Sequence, residues 1–365
     1  MAWYIIITAL IALLLFVLFK TKTKSKGCLI KLSPGSDGWP ILGEILEFIG
    51  AHKKGSLVKI TKDRMEKYNT QVFKTSLMGE STALLCGPAG NKFLFSNENK
   101  LVAAWWPAPV KKLLGTCLAT TAGVEGIQMR KMVSYFLSLD AFSKLYMKNI
   151  DVVCQQHINT YWQSKEELKV FPTIKVFAFE VACRSFMSIE EPSQIKRLEA
   201  LFSVFTRGIF AFPLNFLGTE FYNAKKATAA IKKELGRIVR QRRKALEQKA
   251  ALPSQDLLSH LLVNPDENGE FMSEPVIVNN ILLLLFAGHD TSTCAITMMI
   301  KVLAEHPHVY ETVLREQNEI ASSKEAGESL RWEDIRKMRY SWNVVSETMR
   351  LWHLQQAASE KLWWI

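Results

Sequence analysis

The chain has 365 residues, 48% of them hydrophobic and 22% charged. Such a composition carries a large core and excludes wholesale disorder, collagen-like repeats and low-complexity architecture. Forty-six basic residues against thirty-five acidic ones leave a formal charge of +11, which suits a membrane surface, nucleic acid or an acidic partner according to where the charge lies. The six cysteines, Cys28, Cys86, Cys117, Cys154, Cys183 and Cys294, are widely spaced and contain no C-x-x-C. That argues against a disulfide scaffold and a thiolate zinc site and points to a reducing compartment.

Ala2 to Phe19 is an uncharged run of eighteen residues, followed at once by Lys20, Lys22, Lys24 and Lys26. As a helix it would reach about 27 Å, enough to cross a thin bilayer. Basic residues on its C-terminal flank keep that side in the cytosol. A cleaved signal peptide needs a basic start, a shorter apolar stretch and a small-residue cleavage site; here lysines stand where cleavage would occur. Residues 1–19 are therefore read as a retained single-pass anchor. Ser33 to Pro40 holds two prolines and two glycines, which rule out a helix and favour an extended path. Residues 20–40 then form a basic and Pro/Gly segment, either a plain spacer or a short rigid hinge.

Val72 to Leu77 and Ser81 to Cys86 have β-branched or alternating character around Met78-Gly79-Glu80 and predict a hairpin. Most of the remainder has helical spacing, so the body is mainly α with a small β part. Trp105-Trp106-Pro107 and the run Phe202, Phe205, Phe210, Phe212 and Phe216 are aromatic-rich and interrupted by proline and glycine. They read either as core or as loops roofing an apolar pocket. Lys225 to Lys249 carries ten basic and two acidic residues, with Ile231, Leu235, Ile238, Val239 and Leu246 at helical spacing. This predicts an amphipathic helix whose basic face is first a solvated face and second a membrane-facing one. Nucleic acid is not expected as a partner, because no reader motif accompanies the charge.

Ser273-Glu274-Pro275 is a helix start with a capping side chain, an early acid and an early proline. The pattern runs to Glu305 and stops at Pro307, about 45 Å of helix. Its apolar part, Ile281 to Ala287, is too short to span a bilayer and follows Asn279-Asn280, so a second membrane crossing is not expected. In its middle lies Ala287-Gly288-His289-Asp290-Thr291-Ser292-Thr293. Glycine costs about 1 kcal/mol against alanine in a helix. Hydroxyls can bond back to the previous turn, and a buried carboxylate needs a partner. Such local inconsistency often marks function, although taken alone this stretch is better read as a bent core helix with satisfied hydroxyls. Further on, Glu347 and Arg350 in Ser341 to Leu351 stand at i, i+3 and can pair.

Together these stretches resemble the cytochrome P-450 haem-thiolate monooxygenases of the plant membrane-anchored type. The resemblance covers Met1 to about Leu351. It rests on the anchor, S-P-G-S-D-G-W-P-I-L-G, A-G-H-D-T-S and E-T-M-R. The stretches C-G-P-A-G-N-K-F-L-F-S-N-E-N-K-L, W-W-P and Y-S-W-N-V-V are similar to the branch of triterpenoid and taxane oxidases. The resemblance implies a haem b cofactor, NADPH electrons delivered by a reductase partner, and a large apolar terpenoid substrate. It further implies residence in the endoplasmic reticulum membrane with the catalytic part in the cytosol. Ala287 and Gly288 would leave a groove for dioxygen, Thr291 would hydrogen-bond the iron-bound peroxo group, and Asp290 would help relay protons. Glu347 and Arg350 would brace the fold beneath the haem. Arg130 falls where a family arginine binds a haem propionate, with Gly126 where the family often has an aromatic residue or histidine. Trp105, Trp106, Phe210 and Phe212 are the pocket candidates.

On this reading residues 41–351 are a partial catalytic domain and 352–365 a divergent tail. After Leu351 the family pattern is not followed, and no cysteine stands in F-x-x-G-x-R-x-C-x-G. The expectation is thus a P-450 fold lacking its C-terminal haem-ligand region, with no axial cysteine and no other metal site. The function expected is oxidation of a terpenoid; the alternative is a catalytically dead truncated remnant or splice form without thiolate ligation.

Overall fold

The computed structural model describes residues 33–351 apart from 40–41, 54–56, 78–79, 99, 104–105, 164, 210 and 326, together with residues 3, 8, 13 and 16. Trp105, Phe210, the tail from 352 and all but four residues of the expected anchor lie outside the described residues. The chain divides into two compact units, Met1–Val102 and Ala103–Ile365.

In the first unit, helices α1 (Ile45–Lys53) and α2 (Leu57–Tyr68) precede strands β1 (Val72–Leu77) and β2 (Glu80–Leu85), with α3 (Gly87–Ser96) after them. The strands form the expected antiparallel pair, Phe73 opposite Leu84 and Thr75 opposite Thr82. Phe73 and Thr75, two apart and therefore on one face, are fully buried. The proline- and glycine-rich segment adds an edge to β1. Lys74 N–H donates to Pro34 C=O at 2.8 Å and Ser36 N–H donates to Lys74 C=O at 3.2 Å. A Cβ on Gly35 would fall 2.0 Å from Lys74 O, so the close approach requires glycine.

The second unit is helical: α4 (Ala108–Leu114), α5 (Gly123–Ser134), α6 (Met147–Tyr161), α7 (Val170–Met187), α8 (Pro192–Ile209), α9 (Glu220–Glu247), α10 (Leu257–Val263), α11 (Glu274–Glu305), α12 (Pro307–Ser322), α13 (Trp332–Lys337) and α14 (Arg339–Leu351). The centre is α11, packed against α7 and α9, while α8 lies along α9. It begins after Ser273 and ends before Pro307, as the sequence predicts, but the Ser273 side chain makes no capping bond. It is also the one helix among the described residues long and apolar enough to cross a membrane. Continuous burial from Ile277 to Phe286 instead marks it as the core helix.

The amphipathic helix α9 buries Ile231, Leu235, Ile238 and Val239. Lys225, Lys233, Arg243 and Lys244 of its basic face are exposed. Arg242 turns inward: it meets the fully buried Asp256 carboxylate and donates to Ser259 Oγ at 2.7 Å and Met187 C=O at 2.7 Å. This joins α9, α10 and the end of α7. A charge so enclosed is tolerated because its hydrogen bonds are made. The aromatic run divides. Phe202 and Phe205 are fully buried core, whereas Phe212 and Phe216 are exposed.

Two expectations follow. Gly208 on α8 lies so close to α9 that a Cβ would sit 2.3 Å from both Ala224 Cβ and Glu220 O. Gly208→Ala should lower the unfolding free energy by about 1–3 kcal/mol, the usual cost of overpacking, read by chemical denaturation. Asp334, at the third position of α13, accepts from Lys324 Nζ at 2.7 Å and Arg331 N–H at 3.0 Å. The Lys324 bond first, then the Arg331 amide, holds its carboxyl down to about 2. Its stabilising contribution is therefore complete above the ordinary carboxylate value of about 4 and disappears as pH falls through about 2. Acid unfolding of Asp334→Asn should be correspondingly shallower between those limits, and an unchanged pH profile would contradict the pairing.

Candidate active site

Helix α11 is enclosed along its first half and open along its second. Ile281 to Phe286 are buried, Ala287 is exposed, and Thr291, Ala295 and Met298 are half-buried. These residues recur at i, i+4, i+8 and i+11, one stripe of a helix. Gly288 borders the stripe. A Cβ there would meet nothing nearer than the Phe186 ring at 3.7 Å, so packing on α7 does not demand glycine. The described neighbours leave an unfilled shelf at Ala287–Gly288. The Thr291 hydroxyl stands one turn on and donates to Ala287 C=O at 2.7 Å. Thr293 bonds back in the same way to His289 C=O at 2.6 Å. Both hydroxyls thus satisfy themselves within the helix, as residues of this type do.

Asp290 is turned to the side, towards α7. Its Oδ1 lies 3.2 Å from Lys175 Nζ and 3.4 Å from His289 Nε2. His289 is fully buried, and its Nδ1 lies 2.6 Å from Leu285 C=O. A carbonyl can only accept, so that nitrogen carries the proton. Phe179 and Phe202 stand roughly perpendicular to the imidazole at centroid distances of 5.1 and 6.1 Å. The sequence singles out Asp290 and Thr291 but neither Lys175 nor His289. An isolated lysine on α7 carries no local signal, whereas a histidine adjoining an acid in a leucine-rich helix does.

The first half of α11 carries a second polar feature. Asn280, fully buried, accepts from Leu118 N–H at 2.8 Å and donates to Val276 C=O at 2.9 Å. Asn279 donates to Thr116 C=O at 3.1 Å, and Lys232 of α9 caps Leu114 C=O at 3.2 Å. The two asparagines, noted in the sequence only as polar interruptions, pin the loop after α4 onto the central helix.

The remaining sequence candidates are dispersed. Arg130 is exposed on α5. One turn before it, Gly126 is buried, and a Cβ there would lie 2.5 Å from Thr121 O. A larger residue is thus excluded by the backbone it packs on. Glu347 and Arg350 pair as expected, Arg350 Nε donating at 2.7 Å, on an exposed face of α14. Trp106 is half-buried against the core and Phe212 is exposed in the loop before α9. Three of the described cysteines are not poised as thiolates: burial pushes the thiols of Cys183, Cys154 and Cys86 upward. Among the described residues no cluster of side chains could hold a metal ion.

Comparison with known proteins gives a consistent result. The family model for cytochrome P450 matches residues 33–358. A beta-amyrin 28-monooxygenase of Medicago truncatula is 46% identical over 339 residues, covering 93% of this chain and 70% of that protein. The beta-amyrin 28-monooxygenase of Vitis vinifera is 48% identical over 320 residues, covering 88% of this chain and 66% of its own length. Among solved structures, a retinoic-acid-bound cyanobacterial CYP120A1 superposes with a TM-score of 0.76 at 30% identity, covering 88% of this chain and 69% of that one. The family model spans most of the chain and these plant relatives are 46–48% identical to it, so the chain belongs to the cytochrome P450 family of haem monooxygenases.

Proposed function

We propose that the chain forms the oxygen-activating face of a triterpenoid oxidase, acting on a pentacyclic skeleton of the beta-amyrin type. The observation that carries this reading is the shelf at Ala287–Gly288 with Thr291 beside it, on a chain that is 46–48% identical to beta-amyrin 28-monooxygenases. The haem fits this side of the structure. A Cβ on Gly288 would make only an ordinary contact with the Phe186 ring, at 3.7 Å, and the stripe Ala287, Thr291 and Ala295 consists of small side chains that are exposed or half-buried. Arg130, exposed on α5, is the candidate for a propionate. When bound, the haem supplies dioxygen activation with electrons from a reductase drawing on NADPH.

The side chains divide the remaining work. Ala287 and Gly288 keep the shelf clear. Thr291 offers a hydroxyl above it, and Asp290 stands next along the helix as the carrier of protons from outside. Water must be kept out except along that path, because stray protons divert reducing equivalents from product. Membrane attachment through Ala2–Phe19 is part of the same reading. Of that stretch, Trp3, Leu13 and Phe16 are helical and exposed, as a helix facing lipid would be.

The reading is tested with Thr291→Ala in haem-loaded enzyme. NADPH consumption should persist while product falls about tenfold or more and peroxide rises, with little change in substrate affinity. Unaltered coupling would overturn the role of Thr291.

A second reading is favoured by the cysteines. In this reading residues 1–365 by themselves form no thiolate-ligated haem; burial raises the thiols of Cys183, Cys154 and Cys86, so none of these three is poised as the ligand. A reduced carbon-monoxide difference spectrum of membranes carrying these residues should then lack the thiolate-type band. Finding that band would exclude this second reading. The same membranes washed with carbonate should retain the chain if the anchor is real.

A further inference from the structure

We infer that Lys232 is a positioning residue that fixes helix α4 and the strap at residues 115–121 over the first half of α11, and through them sets how firmly the triterpenoid is held. The inference rests on the substrate reading proposed above and goes beyond it by naming a residue on α9 that shapes the site without belonging to it.

Lys232 is out of place in its own helix. Thr228 four residues before it and Leu235 three residues after it are buried, so it shares the apolar face of α9 rather than the basic one. Lys233 beside it is exposed. Burial pushes the pKa of the Lys232 ammonium down, an effect that Cys117 opposes, and no carboxylate among the described residues pairs with it. A lysine head drawn into such a place needs an acceptor, and the one it finds is Leu114 C=O at 3.2 Å.

That carbonyl is one end of an interrupted helix bond. Helix α4 ends at Leu114, and Gly115 follows with φ at +77°, a turn out of the helix that suits glycine. In a continuing helix Leu114 C=O would accept from Leu118 N–H, four residues on. Here Leu118 N–H donates to Asn280 Oδ1 at 2.8 Å instead. Lys232 from α9 and Asn280 from α11 thus take up the two groups that the turn at Gly115 separates. Asn279 adds a third tie by donating to Thr116 C=O at 3.1 Å, and Thr120 closes the strap on itself by donating to Gly115 C=O at 2.6 Å.

The three ties from outside the strap differ in kind. The asparagines are short and sit on the sealed half of the central helix. Lys232 holds by one bond at the end of a long stem from another helix. Without it, the carbonyl of the fully buried Leu114 has no donor among the described residues, a cost that falls only if the strap lifts towards water. An apolar surface moves with the strap. Val110 and Leu113 are buried where α4 meets α8, α9 and α11, and Trp106 and Leu118 are half-buried against the same core. Asn279 and Asn280 precede the shelf at Ala287–Gly288 by about 10–13 Å along the helix axis. A fused pentacyclic skeleton with its reacting carbon at the shelf, laid along this half of α11, ends beneath the strap.

Cys117 reports on the strap, because its thiol is fully buried there, 3.4 Å from Thr120 Oγ. Cys183 on α7, also fully buried, reports opening of the whole unit. Membranes carrying the chain are labelled with N-ethylmaleimide, and each modified peptide is quantified by mass spectrometry, for the parent, Lys232→Met, Lys232→Arg and Lys233→Met. Lys232→Met keeps an apolar stem and removes the donor. It should speed the labelling of Cys117 about tenfold while Cys183 keeps the parent rate, as expected of a local opening. Lys232→Arg, which keeps a donor, should stay within about threefold of the parent, and Lys233→Met should match the parent. Saturating beta-amyrin should slow Cys117 labelling several-fold in the parent and less in Lys232→Met. In haem-loaded enzyme Lys232→Met should raise KM for beta-amyrin about tenfold and change kcat by no more than about twofold. Parent-like labelling of Cys117 in Lys232→Met, or labelling of Cys183 in step with it, would overturn the positioning role. Faster labelling with an unchanged KM would overturn its part in holding the substrate. If beta-amyrin neither slows labelling nor is oxidised in the parent, the substrate reading fails and that part of the inference with it, while the labelling rates of the variants still decide whether Lys232 fixes the strap.

Discussion

One helix has to be sealed along its first half and open along its second, and the second unit is arranged around that requirement. Burying Ile277 to Phe286 on every side takes α7 and α9 along its flanks and a pinned loop after α4. Full burial of leucine-sized side chains is worth about 1.5–3 kcal/mol each, so the sealed half fixes the axis. The second half continues that axis, with His289, Thr293 and Cys294 still buried while the stripe Ala287, Thr291 and Ala295 is exposed or half-buried. Residues 287–295 can therefore be small, polar or hydroxylated without loss of the helix. The departures from helix propensity there are tolerated because stability is supplied elsewhere.

Polar groups inside the sealed region follow a stricter rule. Asn280 is fully buried yet has both an acceptor and a donor bond, and Asp256 is fully buried with the guanidinium of Arg242, the Ser188 hydroxyl at 2.6 Å and the Ser259 amide at 2.7 Å around it. Each such group ties elements that sequence separates widely. His157 departs from that rule, as do Ser185 Oγ, His289 Nε2 and Thr297 Oγ1. Both ring nitrogens of His157 are buried without hydrogen-bond partners, and the ring packs against Tyr161 and Phe177. Burial lowers its pKa, against the opposing charge of Glu180, so the neutral imidazole behaves as an aromatic core residue.

How much of this could be read from the residues depends on the range of each interaction. The bounds of α11, the hairpin and the buried face of α9 follow from capping residues, turn residues and periodicity, all signals within a few positions. The open face of A-G-H-D-T-S was visible as a breach of local propensity. Lys175 was not, because its partner lies on another helix and nothing near it in sequence breaks a rule. The same holds for Gly126, whose need for glycine comes from the carbonyl of Thr121 folded against it. Gly35 reads as a linker glycine but is an edge contact of β1 for the same reason. The aromatic run misled by its uniformity. Phe202 and Phe205 differ from Phe212 and Phe216 only in whether the helix continues beneath them.

The hydrogen bond from Thr291 to Ala287 bears on how the open half can work. A threonine hydroxyl has one proton and two lone pairs. In this arrangement the proton points back to its own helix, at 2.7 Å from an acceptor, so the shelf is presented with lone pairs. The hydroxyl can then accept a hydrogen bond from a donor above the shelf without moving. To donate, it must turn about χ1 and give up the bond to Ala287, exchanging one hydrogen bond for another of similar strength, about 1 kcal/mol net. The two states are close in free energy, and the incoming acceptor decides between them. On the proposed reading a proton leaving Thr291 for the shelf has to be replaced, and the adjoining Asp290 carboxylate, 3.2 Å from Lys175 Nζ, is the titratable group next along the helix. In that proposed reading the threonine supplies direction and the aspartate supply, a division of labour that neither side chain could sustain by itself.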